Sequence, residues 1–217
     1  IIIYDNLYRE NFNLFIGVQK CSSKVRFVNG DILDSRKLNV EVKKADVVFH
    51  LAAKVTVPFM DTNLHEFEQI NNWGTSEVVY AVENSNVQKF IYLSSVSVYG
   101  AKNQNVTSVN ELLNPLTYYG ISKQRGEEHV QRIQHKKETF LLRCGNIYGY
   151  SKSMRFDSVI NRFMFEANYG GKIAIKGDGS QLRTFIHINS VVDTLVKIGN
   201  NEIEKGTYNL TESNWSL

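Results

Sequence analysis

A phenol and an ammonium stand four residues apart in Tyr119-Gly120-Ile121-Ser122-Lys123. On a helix that spacing puts both side chains on one face. An ammonium beside a phenol favours the phenolate and lowers a pKa that starts near about 10. The pair therefore reads as a general base able to work near neutral pH. Upstream, Lys89-Phe90-Ile91-Tyr92-Leu93 runs into Ser94-Ser95-Val96-Ser97-Val98-Tyr99-Gly100. A hydroxyl at the carboxyl end of a parallel strand lies where such sheets bind ligands. Alone, Tyr-x-x-x-Lys is also what a solvated helix face produces by chance, and a Ser-rich strand-to-loop transition is common. Joined at a distance that suits one loop and the next helix, the two features read as one site.

The elements that must carry them are legible in the apolar pattern. Ile1-Tyr4, Val25-Val28, Val47-Leu51, Phe90-Leu93 and Phe140-Leu142 are short runs with little alternation, as expected for parallel strands covered on both faces. Residues 35–42, 63–82 and 118–134 have helical periodicity. Strand and helix in steady order predict an α/β fold, a doubly wound parallel sheet of Rossmann type. After Tyr150 the rhythm changes. A helix is expected over 158–168, a short strand over Ile173-Ile175, a turn at Gly177-Asp178-Gly179, a helix over 191–199 and a strand over Thr207-Leu210. Residues 1–150 are expected to form the dinucleotide-binding domain, and 151–217 a partial substrate-binding lobe with return segments to the sheet. No strand-to-helix turn carries the glycine cluster that lets a pyrophosphate approach a helix N-terminus. The expectation is a chain that starts in its second strand, with both ends cut.

Composition excludes several classes. Hydrophobic content of 42% and charged content of 22% belong to an ordinary globular chain. A net charge of +3, with Lys and Arg scattered among acids, gives no basic stripe for nucleic acid. No apolar run reaches the roughly 18 to 20 residues of a membrane span; the best, from Val47 to Met60, is interrupted by His50 and Lys54. No signal peptide is read at the start. Cys21 and Cys144 suggest neither a disulfide framework nor a metal site, and the five histidines show no zinc-like pairing. No metal is expected, and a cytoplasmic location is. The glycosylation triplets at Asn105, Asn209 and Asn214 are attributed to chance.

Ser-Ser-x-x-x-Tyr-Gly followed by Tyr-Gly-x-Ser-Lys resembles the catalytic core of the extended short-chain dehydrogenase/reductase family that acts on nucleotide sugars. Further matches fall in the family's order. Asp5 and Asn6 resemble the end of the second strand, where the resemblance implies a carboxylate on the adenosine ribose and NAD rather than NADP. Asp31 and Ile32 resemble the adenine-side turn. His50-Leu51-Ala52-Ala53 resembles the strand end that lies along the cofactor, and Asn71 the residue that braces the active site. Ser94, Tyr119 and Lys123 are placed on the cofactor side as well. Leu142-Arg143-Cys144-Gly145-Asn146 resembles the sixth-strand motif, with Asn146 toward substrate. Gly177 to His187 resembles the substrate-lobe segment, with Arg183 toward the diphosphate. Two departures stand out: Thr184 replaces a position often acidic, and Gly145 one often larger. The resemblance also implies a homodimer, built through a bundle that includes the Tyr119 helix.

The residues after Ser95 choose among the family's reactions. Relatives that dehydrate or decarboxylate the sugar place a carboxylate one or two positions later, and here those positions are Val96 and Ser97. Epimerisation needs no such acid. The resemblance thus implies an NAD-dependent epimerase of a nucleotide sugar, of UDP-glucose/UDP-galactose 4-epimerase type. Tyr119 would be the base, Ser95 the hydrogen-bond partner of the reacting oxygen, and Lys123 the ribose anchor. A 4,6-dehydratase, decarboxylase or reductase is the alternative; a non-catalytic NAD-binding regulator is a further one.

Overall fold

A computed structural model describes residues 1–16, 24–55, 63–100, 108–175 and 177–216. Cys21, Pro58, Met60 and the Asn105 triplet lie outside them.

Among the described residues nine strands, numbered in chain order, form three sheets. β1 (Ile2–Asp5) and β2 (Arg26–Asn29) pair in parallel, Ile3 opposite Phe27. β3 (Val47–His50), β4 (Lys89–Ser95), β5 (Glu138–Cys144) and β8 (Gly206–Leu210) make a parallel sheet in that order. β6 (Asn146–Tyr148), β7 (Leu182–His187) and β9 (Ser213–Ser216) form a small mixed sheet. The chain alternates between the last two sheets after Tyr148, because β8 returns to the parallel one.

The helices start where capping chemistry allows. Asp34 accepts from Lys37 N–H at 3.1 Å and opens α1 (Ser35–Val42). Thr117 accepts from Gly120 N–H at 3.0 Å and opens α4 (Tyr118–Arg132). His187 Nδ1 does the same for α6 (Ile188–Gly199). The helix expected over 63–82 is α2 (His65–Phe67), a wider π-helical stretch Glu68–Gly74, and α3 (Thr75–Glu83) in one run. Such π turns are rare and recur at functional sites; this one carries Asn71. α5 (Val159–Phe165) ends in another, Glu166–Gly170.

β4 is buried along most of its length, and its alternate residues feed two cores. Phe90 and Tyr92 pack with Val78, Val79 and Val82 of α3 and Val130 of α4. Ile91 points the other way, with Phe140, Leu142 and Ile198 of α6. Helices on both faces of a parallel sheet confirm the doubly wound architecture. On the α6 side the covering is incomplete toward β3: Phe49 is 41% and Leu51 50% exposed.

The strand expected over Ile173-Ile175 does not form. It pairs with no described strand, both isoleucines are exposed, and an apolar run without a ladder partner has nothing to hold it extended. β6, β7 and β9 form where polar residues hid the pattern.

Candidate active site

The parallel register brings the carboxyl ends of β4 and β5 level, with Ser95 opposite Cys144 and Ser94 opposite Arg143. Ser95 then caps the 3-10 turn Val96–Tyr99, its Oγ accepting from Ser97 N–H at 3.2 Å. The first turn of α4 comes to this same edge. Gly120 makes that approach possible, since a Cβ there would lie 2.8 Å from the Ser97 carbonyl oxygen. Nearly two turns further, a Cβ on Gly126 would meet Tyr92 Oη at 2.3 Å and Asn71 O at 2.9 Å. Ser95 and Tyr119 thereby come within hydrogen-bonding reach, and Lys123 lies beside Cys144, which stands opposite Ser95.

Their electrostatics differ from the expectation in one respect. Burial pushes the Tyr119 phenol up to about 12, opposed by a hydrogen bond with Ser95 and by the Arg155 charge. The pull expected from Lys123 is not among these influences. Instead Lys123 is itself buried, and burial brings its ammonium down to about 7, with Glu127 pulling the other way. Its Nζ lies 4.5 Å from the centroid of the Tyr92 ring. Burial, and then the charge of Lys123, hold His50 down at about 3. His50 is thus a neutral core residue that shares a 2.9 Å hydrogen bond with Thr75 Oγ1. Cys144, beside this group, is pushed up to about 12 by burial and stays a thiol.

Two residues of the site escaped the sequence reading. Glu127 and Arg143 form an ion pair at 2.8 Å, with side chains 1% and 4% exposed. The spacing Lys123 to Glu127 was the available signal: it puts the carboxylate one turn along the same face.

The residues expected along a cofactor occupy the carboxyl edge of β1 to β3. Asp5 Oδ1 accepts from Leu7 N–H at 2.7 Å and the carboxylate is exposed. Asn6 Nδ2 donates to Asp31 Oδ2 at 2.9 Å, so these three sit together. Ile32 is buried in the core, whereas Leu51 is exposed and Ala52 and Ala53 are half-buried. An exposed carboxylate at one end and small residues at the other suit an extended nucleotide: hydroxyls can be accepted at Asp5, and close approach is possible at Ala52 and Ala53. Asn71 is fully buried. Its Oδ1 accepts from Lys54 N–H, and its Nδ2 donates to Lys54 O and to Ser122 Oγ, all at 2.9 to 3.0 Å. It braces this edge against α4. Ser94 turns its hydroxyl inward to Glu127, leaving its backbone to face the edge.

Comparison with known proteins decides the family. The model of the NAD dependent epimerase/dehydratase family matches residues 4–211. The chain belongs to that family. It is 32% identical to human dTDP-D-glucose 4,6-dehydratase over 177 residues, 80% of this chain and 50% of that one. It is 29% identical to UDP-glucose 4-epimerase of Mycolicibacterium smegmatis, covering 82% of this chain and 58% of that one. The chain spans about half the length of the curated relatives it matches. A solved structure of UDP-glucuronic acid 4-epimerase from Bacillus cereus, in complex with UDP-glucuronic acid and NAD, superposes with a TM-score of 0.86 at 25% identity, over 99% of this chain and 70% of that one.

The mixed sheet carries the two residues that the sequence singled out toward substrate. Asn146 Nδ2 donates to Thr184 O at 3.0 Å, and Asn146 stands opposite Phe185, two residues beyond Arg183. Both Asn146 and Arg183 are exposed. Arg155, whose charge reaches Tyr119, is paired with Asp157 through Nε at 2.9 Å. Among the described residues no group of three His, Cys, Asp or Glu could hold a metal, and no helix is long and apolar enough to cross a membrane.

Proposed function

We propose that the protein is an NAD-dependent nucleotide-sugar epimerase, inverting C4 of a UDP-hexose through a transient 4-keto intermediate. The observation that carries this reading is the meeting of Ser95, Tyr119 and Lys123 at one edge, with no carboxylate in the turn that follows Ser95. Dehydration of the sugar needs an acid–base group beyond these three. Positions 96 and 97 are Val96 and Ser97, and the nearby Glu127 is tied to Arg143 and Ser94. Ser97 Oγ is a buried hydroxyl without a hydrogen-bond partner among the described residues, suited to a sugar hydroxyl and not to proton transfer at carbon.

In this reading Tyr119 takes the proton from the sugar 4-hydroxyl while C4 loses hydride to the cofactor, and Ser95 hydrogen-bonds the oxygen as it becomes a ketone. NAD, when bound, supplies the hydride acceptor and a positive charge beside the phenol. That charge opposes the burial that holds Tyr119 near about 12. Lys123 anchors the nicotinamide ribose, Asp5 and Asn6 the adenosine end with Asp31 and Ile32 beneath the adenine, and Leu51 to Ala53 flank the middle, on the Ser94 side. Asn71 steadies this edge. Asn146 and Arg183 hold the sugar and the diphosphate from the small lobe, residues 151–217, against the nucleotide-binding domain, residues 1–150. Bound NAD would take up the hydride and supply it again to the other face of the ketone, giving the epimer with no net oxidation. We also place the protein in the cytoplasm, as a homodimer whose second copy covers exposed Trp73 and Tyr80 on the α3–α4 face.

The test is to incubate the complete protein with UDP-glucose or UDP-galactose, without reductant, and follow products by NMR. The expected result is one mixture of C4 epimers reached from either sugar. A 4-keto-6-deoxy or pentose product would assign a different reaction of the same family.

A further inference from the structure

Lys123 and Glu127 lie one turn apart on the buried face of α4. Arg143 reaches that carboxylate from β5, with Nη2 donating to Oε2 at 2.8 Å and Nε to Oε1 at 3.1 Å. The same guanidinium donates through Nη1 to Tyr99 Oη and to Val109 O, each at 2.8 Å. Tyr99 Oη donates onward to Asn209 Oδ1 of β8 at 2.7 Å, and the Ser94 hydroxyl donates to Glu127. One buried pair therefore ties together the residue before Ser95, the end of the turn after it, β8, and the helix that carries Tyr119 and Lys123. A buried pair of this kind is often no more stabilising than apolar residues of the same volume. Stability alone is a poor reason for it to stand here.

We propose that Glu127 and Arg143 are positioning residues for the reaction: they hold Ser95 and Lys123 in one rigid frame, and the Glu127 carboxylate supplies the fixed negative charge that keeps the Lys123 ammonium protonated. The proposal rests on the assignment of Ser95, Tyr119 and Lys123 as the reacting groups. The groups facing Lys123 are His50 from β3, Tyr92 from β4, Glu127 from its own helix, and Cys144 from β5. His50 is held neutral, Cys144 and Tyr92 are pushed up by burial, and so Glu127 is the counter-charge within this set. Burial drives the ammonium down, and Glu127 is the first of the influences that oppose it.

The experiment compares wild type, Glu127→Gln and the double variant Glu127→Gln/Arg143→Met, in the complete protein with NAD. The lysine Cε resonance that is lost in Lys123→Met is titrated by NMR, thermal stability is recorded, and kcat and KM are measured on UDP-hexose. We expect the Lys123 midpoint to fall by about one pH unit in both variants. Turnover should fall roughly 10- to 100-fold with little change in KM. The double variant, which leaves no buried guanidinium without its carboxylate, should melt closer to wild type than the single variant and still show both defects. It also serves if the single variant does not fold. A double variant with wild-type turnover and an unmoved Lys123 midpoint would overturn the proposal, as would a loss of turnover that only tracks loss of stability. If wild type turns over no nucleotide sugar, the assigned reaction fails, and the Lys123 midpoint in the variants still decides whether Glu127 holds that charge.

Discussion

Helices α4 and α6 cover opposite faces of the same parallel sheet, and they are built from opposite kinds of residue. α6 meets β4 and β5 through Ile198 and Leu195, against Ile91, Phe140 and Leu142. α4 meets them through Gly120, Ser122, Lys123, Gly126 and Glu127, with Val130 the apolar member of its buried set. The first helix holds the sheet by burying hydrocarbon, at about 1.5–3 kcal/mol for each large side chain. The second approaches closely through glycines and buries charge, which costs free energy unless every group is paired. In the proposed reading, a helix that gives up apolar contact at the carboxyl edge of a sheet serves the ligand site rather than the core. Changes on α4 should therefore strike chemistry first, and changes on α6 stability first.

Tyr119→Phe should show the larger effect and the clearer separation. Losing the phenolic proton carrier should lower turnover by about 10² to 10⁴. The melting temperature should fall only slightly, by the one hydrogen bond lost with Ser95, since the phenol is neutral in the folded and the unfolded chain alike at neutral pH. Retention of more than a tenth of the activity would remove Tyr119 from its role. Ile198→Ala is the mirror image on α6. Ile198 is fully buried, so truncation should cost about 2–5 kcal/mol by urea denaturation, with kcat per folded molecule unchanged. A matching drop in kcat would show that the two faces are coupled and that the contrast is false.

Lys123→Met tests the cost of the buried charge. Lys123 titrates near about 7 in the fold, against about 10.4 in an unfolded chain. Below about 7 both states hold the proton and the fold bears the full penalty. As pH rises toward about 10.4 the folded ammonium is already neutral while the unfolded one still loses its proton, so the penalty fades. The variant should accordingly be more stable than wild type, on the order of 2–4 kcal/mol at neutral pH, with the gap narrowing toward about pH 9.5. Equal stability at both pH values would mean that Lys123 is not the strained group of this site. Activity should be lost in the same variant, an instance of a site that trades stability for function.

The same contrast explains what could be read in the sequence. β4, β5 and α6 were legible because Phe90, Ile91, Phe140, Leu142 and Ile198 follow apolar periods tied directly to burial. α1 was legible to the residue, its periodicity over 35–42 matching the helix Ser35–Val42. α4 was found by its helical periodicity over 118–134, but which face it buries was not legible, because that face carries Lys123, Glu127 and two glycines with Val130 as its apolar member. The partnership of Glu127 with Arg143 stayed hidden because the two lie 16 residues apart on different elements, joined by the fold alone. β6, β7 and β9 were missed because Asn146, Arg183, Thr184 and Ser213 break the apolar pattern on strands that line a polar site. Ile173 and Ile175 misled for the opposite reason: apolar residues promise a strand, but a strand also needs a neighbour.

The smallest effect tests the comparison at the helix caps. Thr117 closes the N-terminus of α4 through Gly120 N–H, and His187 closes that of α6 through Asn189 N–H. Either cap replaced by Ala should cost about 1 kcal/mol of stability, since each leaves one helix-end donor unmatched. Their consequences for turnover should differ. Thr117 is two residues from Tyr119, so fraying of that turn moves the base itself, and misplacement by a fraction of an ångström is felt in kcat. Fraying at the start of α6 loosens a helix whose work is packing. Thr117→Ala should therefore lose roughly 3- to 10-fold in kcat at a stability cost equal to that of His187→Ala, whose kcat should hold within about 2-fold. Equal kcat in the two variants would show that α4 is fixed below its first turn, by the Glu127–Arg143 pair and the close contacts at Gly126, and that its cap contributes only what any cap does.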